Sequence, residues 1–459
     1  MGPRYDLKKI IFLLDRLHSE NSPWNDEYEF TDFITTRNGL ERHFTRYAKK
    51  HLRELARALH IQRQKTSIRI ELYNYEKLVR RAIANLHAEG YFNTYQDEKY
   101  EAASQEIIKE IEDYLESEFQ DFTHHFPAWT IGMEKIEPFI LGPVTFLRRV
   151  DWIDSIDLHP IIHERLASSA EDAKNWKFLV KQALLRPRDN NPIGGISDRI
   201  YDAIIDCPSI LKVRIDGHEK ELSRKLAQLV CRTALDSISL LFGSPDFFHQ
   251  QALHGERLSP VSTETLIEAN GKLWLQGASL GKRLPILPPK EVRRILQKNE
   301  SVLTSFGHIL HGLTSPFSHP HPKLSNRWAT ALDWYGEGNR EPNDSIAVAK
   351  LGTCLDVLAA GGKAGGITKM MSSLTGLESN FEMVKEPRSR TIGDLIKNIY
   401  NDGRSKILHG THFDRLESFA EERKHANHIA RIALLKSALH LKDYRGEDTD
   451  KSFATMSNN

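Results

Sequence analysis

The stretch Ile399-Tyr400-Asn401-Asp402-Gly403-Arg404-Ser405-Lys406-Ile407-Leu408-His409-Gly410 decides how this chain is read. It sets an arginine and a histidine five positions apart: a permanently charged planar cation, and a group whose ordinary pKa lies near neutrality. Spacing alone does not single it out. Arg46 with His51 and Arg423 with His428 repeat the offset, and with 21 histidines in 459 residues one or two such coincidences are expected. Context must choose among the three.

The context of Arg404 and His409 is helical. Apolar residues recur at helical spacing over 326–335, 344–360, 391–400 and 413–441, with Asp344 placed as an N-cap and Gly361-Gly362 as a stop. Arg423 and His428 fall in the last of these among Glu417, Glu421, Glu422 and Lys424, which reads as an exposed charged face. Arg46 and His51 lie in a basic helix beside Lys49 and Lys50, with no comparable array around them. In a regular helix, at about 100° per residue, Ser405 and His409 share one stripe while Arg404 and His409 stand about 140° apart. One copy of the segment does not converge its own pair within a regular helix.

Outward from this array the chain changes texture twice. Residues 1–125 read as helical, with Leu7-Ile10-Ile11-Leu14, Leu52-Leu55-Leu59 and Ile107-Ile108-Ile111-Leu115 on single helix faces and a short β-like run over 67–72. Residues 126–300 read as a mixed α/β region, with strands at 128–131 and 139–147, a long helix over 221–242, and a hairpin turning on Asn270-Gly271. Proline-rich connectors are expected at 284–289 and 315–322, a helical domain over 301–445, and a disordered polar tail over 446–459. The fold class expected is mainly α, α+β overall.

Composition bounds the function. Hydrophobic content of 40% with 27% charged residues is that of an ordinary soluble protein, and no apolar run is long enough to cross a bilayer, so a cytoplasmic location without membrane attachment is expected. Cys207, Cys231 and Cys354 are widely separated and odd in number, which reads as reduced core cysteines. A net charge of +1 leaves any nucleic-acid contact to a local surface. From Arg37 to Arg69 there are ten Lys/Arg against two acids, and from Asp97 to Asp121 ten acids against two lysines. The two runs either mate with one another or the first serves nucleic acid or an acidic partner.

With Ala331-Leu332-Asp333-Trp334-Tyr335, the helix Ile346–Leu358 and the Tyr400–Gly410 segment in this order, residues 326–442 resemble a HEPN domain of the ApeA-like group found in prokaryotic anti-phage and abortive-infection proteins. The resemblance implies an antiparallel helical bundle that forms a homodimer, and in some cases a larger assembly. It implies a metal-independent endoribonuclease without cofactor, acting on tRNA or other host or phage RNA and controlled by a phage-derived trigger or an inhibitor. The Arg, polar and His positions of the motif match Arg404, Ser405 and His409; Ser405 departs from the Asn, Asp or His usual after the arginine but suits the ApeA-like group. Asp356 holds the place of a carboxylate on an earlier helix, where it either orients His409 or Arg404 or forms a buried ion pair.

The chemistry these residues offer is that of RNA's own nucleophile. His409 exchanges a proton with the 2′-hydroxyl or the departing 5′-oxygen, Arg404 holds phosphate oxygens as charge builds, and Ser405 positions phosphate or imidazole, leaving a 2′,3′-cyclic phosphate. Lys406 either touches the RNA backbone or is solvated. Two rival readings are a non-catalytic HEPN scaffold that binds RNA, a nucleotide or a partner, and the toxin of a toxin–antitoxin pair. His308, His311, His319 and His321 form a cluster broken by three prolines and lacking a usual zinc set, so no metal is expected. Gly361-Gly362-Lys363-Ala364-Gly365-Gly366 lacks the Gly-Lys-Ser/Thr ending of a phosphate loop and reads as a flexible inter-helix loop near the mouth of the site.

Overall fold

The computed structural model describes residues 2–19, 30–63, 69–118, 121–185, 194–256, 263–279, 287–386, 389–412, 414 and 416–456. The fold is mainly helical with small sheets. The chain divides into two compact units, residues 1–122 with 215–225 and residues 123–214 with 226–459.

In the first unit, α1 (Pro3–His18), the hairpin β1 (Phe30–Thr35) and β2 (Glu41–Thr45), α2 (Arg46–Gln62), α3 (Leu72–Ala88) and α4 (Tyr100–Glu118) surround one core. Leu7, Ile10 and Leu14 of α1, Leu52, Leu55 and Leu59 of α2, and Ile107 and Ile111 of α4 recur every three or four residues and are all buried in it. Thr45 starts α2 by accepting the Ala48 N–H, 3.1 Å. Of the β-like run at 67–72, residues 67 and 68 lie outside the described residues, Arg69 makes a single bridge to His218, and Leu72 opens α3. The opposed charge runs do meet, Arg63 on Glu112 and Arg37 on Glu110 at 3.7 Å. Other basic residues of the run find partners within the unit, Lys49 on Asp32 and Arg53 on Glu76 among them.

The second unit begins with a five-stranded sheet in the order β4-β5-β6-β3-β7, from β3 (Phe122–Trp129), β4 (Phe139–Leu141), β5 (Val144–Arg148), β6 (Ser209–Ile215) and β7 (Ala252–Leu253). The β4–β5 hairpin turns through Gly142 at φ 56, where the close approach of Gly307 leaves no room for a side chain. Helices α5 (Arg149–Ser155), α6 (Pro160–Leu166), α7 (Ala170–Leu185) and α8 (Gly195–Ile204) pack around Ile153, Trp176 and Ile204. Then come α9 (Lys220–Phe242), α10 (Phe247–Gln250) and the hairpin β8 (Thr263–Ala269) and β9 (Lys272–Ser279), whose Asn270 and Gly271 both have positive φ as the sequence requires. Of the expected connector at 284–289, residues 284–286 lie outside the described residues and Pro289 starts the next helix.

The remaining helices are α11 (Pro289–Lys298), α12 (Glu300–Thr314), α13 (Pro322–Arg340), α14 (Asp344–Leu358), α15 (Lys363–Thr375), α16 (Ile392–Lys397), α17 (Lys406–Leu408) and α18 (Ala420–Asp443). A bundle forms where α12, α13, α14 and α18 pack together. Trp328, Leu332, Leu351, Cys354, Leu355, Ile429 and Leu434 fill its core, and the buried Trp328 indole N–H donates to the Leu434 carbonyl, 2.9 Å. All three cysteines are buried and unbridged. An internal ion pair ties α9 to α13: Arg340 reaches Asp236, whose carboxyl burial raises to about 6 against the pull of that arginine.

Three expectations need correction here. The N-cap of α14 is Asn343, whose Oδ1 accepts the Ile346 N–H at 3.2 Å, while Asp344 holds Arg423 at 2.8 Å. The last helix starts at Ala420, not at 413. The tail is ordered as far as Met456: Asp448 accepts the first free N–H groups of α13 from Lys323 and Leu324 (2.9 and 3.0 Å), Asp450 pairs with Arg327 at 2.6 Å, and Phe453 and Met456 are buried. Among the described residues no single helix is long and apolar enough to cross a membrane.

Candidate functional site

Two glycines set the distance between α14 and the segment that carries the motif. A Cβ at Gly403 would lie 2.4 Å from Val348 Cγ1, and one at Gly352 would lie 3.0 Å from Arg404 Cβ. Each segment therefore presents bare backbone to a side chain of the other. Residues Asn398–Ser405 are not α-helical but π-helical, with hydrogen bonds closing one residue later than in an α-helix. Asn401, Asp402 and Gly403 are all weak helix formers, so little is lost when the wider turn replaces the regular one. The regular 100° spacing expected from the sequence thus does not apply through Arg404.

The consequence is that Arg404 turns inward. Its Nη2 pairs with Asp356 Oδ2 at 2.9 Å, its Nη1 donates to the Tyr400 hydroxyl at 3.2 Å, and its guanidinium carbon lies 5.1 Å from the Tyr400 ring centre. Asp356 stands one helical turn after Gly352, on the face the glycine opens. Both charged side chains are about one-fifth exposed, 21% and 18%. Arg404 Nε and Asp356 Oδ1 are buried with no protein partner, so the pair is single-pronged where a bidentate fork is available.

His409 is exposed and sits where the helix ends. Gly410 takes φ 67, its N–H donates to Ile407 O at 3.2 Å, and the Thr411 N–H donates to Lys406 O at 2.9 Å: a Schellman closure that sets the histidine at the C-cap. Ser405 is half-buried one turn earlier, and its carbonyl accepts the His409 N–H at 3.0 Å. Lys406 bonds Asp402 at 2.8 Å, which raises its ammonium pKa and gives it a helical partner instead of free solvation. Arg404 and Asp356 are thus joined at one helix contact, Ser405 follows Arg404 in the chain, and His409 lies beyond it at the helix end.

The other candidates have different roles. His51 is buried and its Nδ1 lies 2.7 Å from Asp6. Arg423 is not on an open charged face: it bonds Asp344 and approaches the carbonyls of Gly338 and Asn339, closing the end of α13. The rings of His308 and His319 lie 4.3 Å apart, tilted by 50°, and His321 meets the Gly446 carbonyl at 3.0 Å; burial depresses His319 to about 4 and lowers His308 and His311 as well. Among the described residues no group of three His, Cys, Asp or Glu is placed to hold a metal. Of the glycine-rich run, Gly361 and Gly362 make the left-handed turn while Lys363 to Gly366 belong to α15. Sequence reasoning missed Tyr400, Gly352 and Gly403. Their signal was present as the four-residue spacings Tyr400 to Arg404 and Gly352 to Asp356.

Comparison with protein-family models, with curated proteins and with solved structures finds no match to this chain.

Proposed function

We propose that this chain is a metal-independent endoribonuclease of HEPN type, a cytoplasmic anti-phage effector of abortive infection that works as a homodimer. The observation that carries the reading is Arg404 fixed by Asp356 and Tyr400 where α14 meets the π-helical segment, with a solvent-exposed His409 at the end of the same stretch. His409 takes the 2′-hydroxyl proton or gives one to the departing 5′-oxygen. The 2′-oxygen bonds to phosphorus, the bond from phosphorus to the 5′-oxygen breaks, and a 2′,3′-cyclic phosphate is left. Arg404 neutralises charge gathering on the phosphate oxygens, Asp356 and Tyr400 orient its fork, and Ser405 positions the phosphate. Leu408, 59% exposed beside His409, gives the motif an apolar edge suited to a second copy, whose own Arg404 and His409 complete two composite sites.

One observation favours a second reading, a non-catalytic RNA- or partner-binding scaffold: Arg404 is already engaged in an ion pair. The two separate in one experiment. Full-length protein, Arg404→Ala and His409→Ala are incubated with tRNA and total RNA in EDTA, with and without lysate from phage-infected cells. The ribonuclease reading requires cleavage by the parent and loss of cleavage in both variants. Binding without cleavage in every condition would replace it with the scaffold.

A further inference from the structure

The first unit carries a surface that the ribonuclease chemistry does not use. Where α1 lies against α2, the buried His51 is flanked edge-on by two tyrosines, Tyr5 at 5.7 Å and Tyr47 at 4.8 Å between ring centres. Tyr5 in turn lies under Lys9, whose ammonium is 5.5 Å from that ring and 5.9 Å from the ring of Phe12. Contacts therefore link Tyr47, His51, Tyr5, Lys9 and Phe12 in one continuous patch. Three of its rings are open to solvent: Tyr5 at 36%, Phe12 at 56% and Tyr47 at 52%. Exposing three large aromatics together has a cost that a folded unit has no internal reason to bear.

Charge on this patch is of one sign. Arg37, Lys49, Arg53 and Arg63 of the basic run that begins at Arg37 are spent on carboxylates inside the unit, as described above. Arg46 and Lys50, one turn apart on α2 with Tyr47 between them, are exposed, and among the described residues neither they nor Lys9 is held in an ion pair. The one carboxylate within the patch, Asp6, is buried and occupied by His51 Nδ1 at 2.7 Å. His51 is itself only 7% exposed at its side chain, and its Nε2 has no partner, an unused hydrogen-bonding atom between the two tyrosines.

We infer that this face of the first unit, Tyr5, Phe12 and Tyr47 with Lys9, Arg46 and Lys50, is a binding surface for single-stranded RNA. Unpaired bases stack on aromatic side chains whatever their sequence, and unpartnered cations beside those rings track the phosphates. An unstacked base also brings hydrogen-bonding edges that can meet His51 Nε2 once the tyrosines part, which an acidic protein surface would not. A duplex keeps its bases stacked and offers the rings nothing. The surface belongs to the first unit and Arg404 and His409 to the second, and the inference does not depend on the ribonuclease reading.

The test is fluorescence anisotropy of a labelled twelve-nucleotide oligo-U RNA with the full-length chain carrying His409→Ala, so that the probe stays intact under either reading of that residue. Tyr5→Ala with Tyr47→Ala should weaken binding about tenfold or more, since each lost stacking platform removes a measurable fraction of the affinity. Lys9→Glu with Lys50→Glu, changes at one half-buried and one exposed position of the two helices, should reduce the slope of log affinity against log salt by about 1.4, at about 0.7 per phosphate contact. Circular dichroism melts establish that both variants fold. No binding by the starting protein, unchanged affinity and slope in the lysine variant, equal affinity for a duplex of the same length, or displacement by polyglutamate at equal charge would each overturn the inference.

Discussion

Replacing Gly403 by alanine adds one methyl group at the tightest point of the candidate site. That methyl would sit 2.4 Å from Val348 Cγ1, where carbon atoms ordinarily rest about 3.5–4.0 Å apart, so α14 and the motif segment must separate by about 1 Å or Val348 must leave its rotamer. Overpacking of this kind costs about 1–3 kcal/mol. Alanine's better helix propensity returns up to about 1 kcal/mol, leaving a net loss of about 0–3 kcal/mol. If the proposed ribonuclease reading holds, RNA cleavage suffers more than stability, because the next residue is Arg404 and its 2.9 Å contact with Asp356 depends on the same approach. Urea unfolding followed by circular dichroism measures the first effect, RNA cleavage the second. The double variant Val348→Ala/Gly403→Ala removes the obstructing methyl and should recover at least about 1 kcal/mol relative to the sum of the single changes. A Gly403→Ala protein as stable and as active as its parent, with no coupling to Val348, would refute the close-contact account of how Arg404 is placed.

Three further outcomes are expected. Asp356→Asn leaves Arg404 with a weaker partner; because both side chains are about one-fifth exposed, the cost is about 1–3 kcal/mol, less than for a fully buried pair, and it is read from the shift in urea midpoint. Phe453→Ala empties a site where the ring is fully buried, so the melting temperature should drop as for a core truncation worth about 3–5 kcal/mol, and the tail beyond Tyr444 should become sensitive to protease. Burial depresses both His18 and His319 to about 4, so the unfolded chain binds their protons first: the stability they provide is complete above about 6.5 and is lost as pH falls through about 4. With a discount for partial exposure this amounts to about 1 kcal/mol each, and melts of His18→Gln and His319→Asn, which retain the acceptor atoms, should show a flatter decline between these pH values.

How far the sequence could be read follows from what each element depends on. Leu351, Leu355 and Leu358 alternate at three and four residues, which announces a buried helix whatever packs on it, and Asn270-Gly271 names its own turn because both residues need positive φ. Asp356 could be placed beside Arg404 as one of two alternatives, since a carboxylate on an apolar helix needs a cation and the motif supplied one. The π-helical segment was not legible. Its hydrogen bonds close only one residue later than those of an α-helix, and the side chain that Gly403 packs against, Val348, lies 55 positions away along the chain. The tail misled for a similar reason: its composition is polar, yet Asp448 and Asp450 find partners more than 120 residues earlier and two apolar side chains, Phe453 and Met456, suffice to anchor it. Local pattern carries elements well and carries partners poorly.

The central claim is that Arg404 and His409 cut RNA through its own 2′-hydroxyl. Mass spectrometry of the ends produced from one defined RNA, incubated with the purified full-length protein in EDTA under its activating condition, tests it most directly. The account predicts 2′,3′-cyclic phosphate on the upstream product and 5′-hydroxyl on the downstream one, with both absent when His409→Ala is used. Products ending in 3′-hydroxyl and 5′-phosphate, or the same cyclic ends at the same rate from His409→Ala, would contradict it.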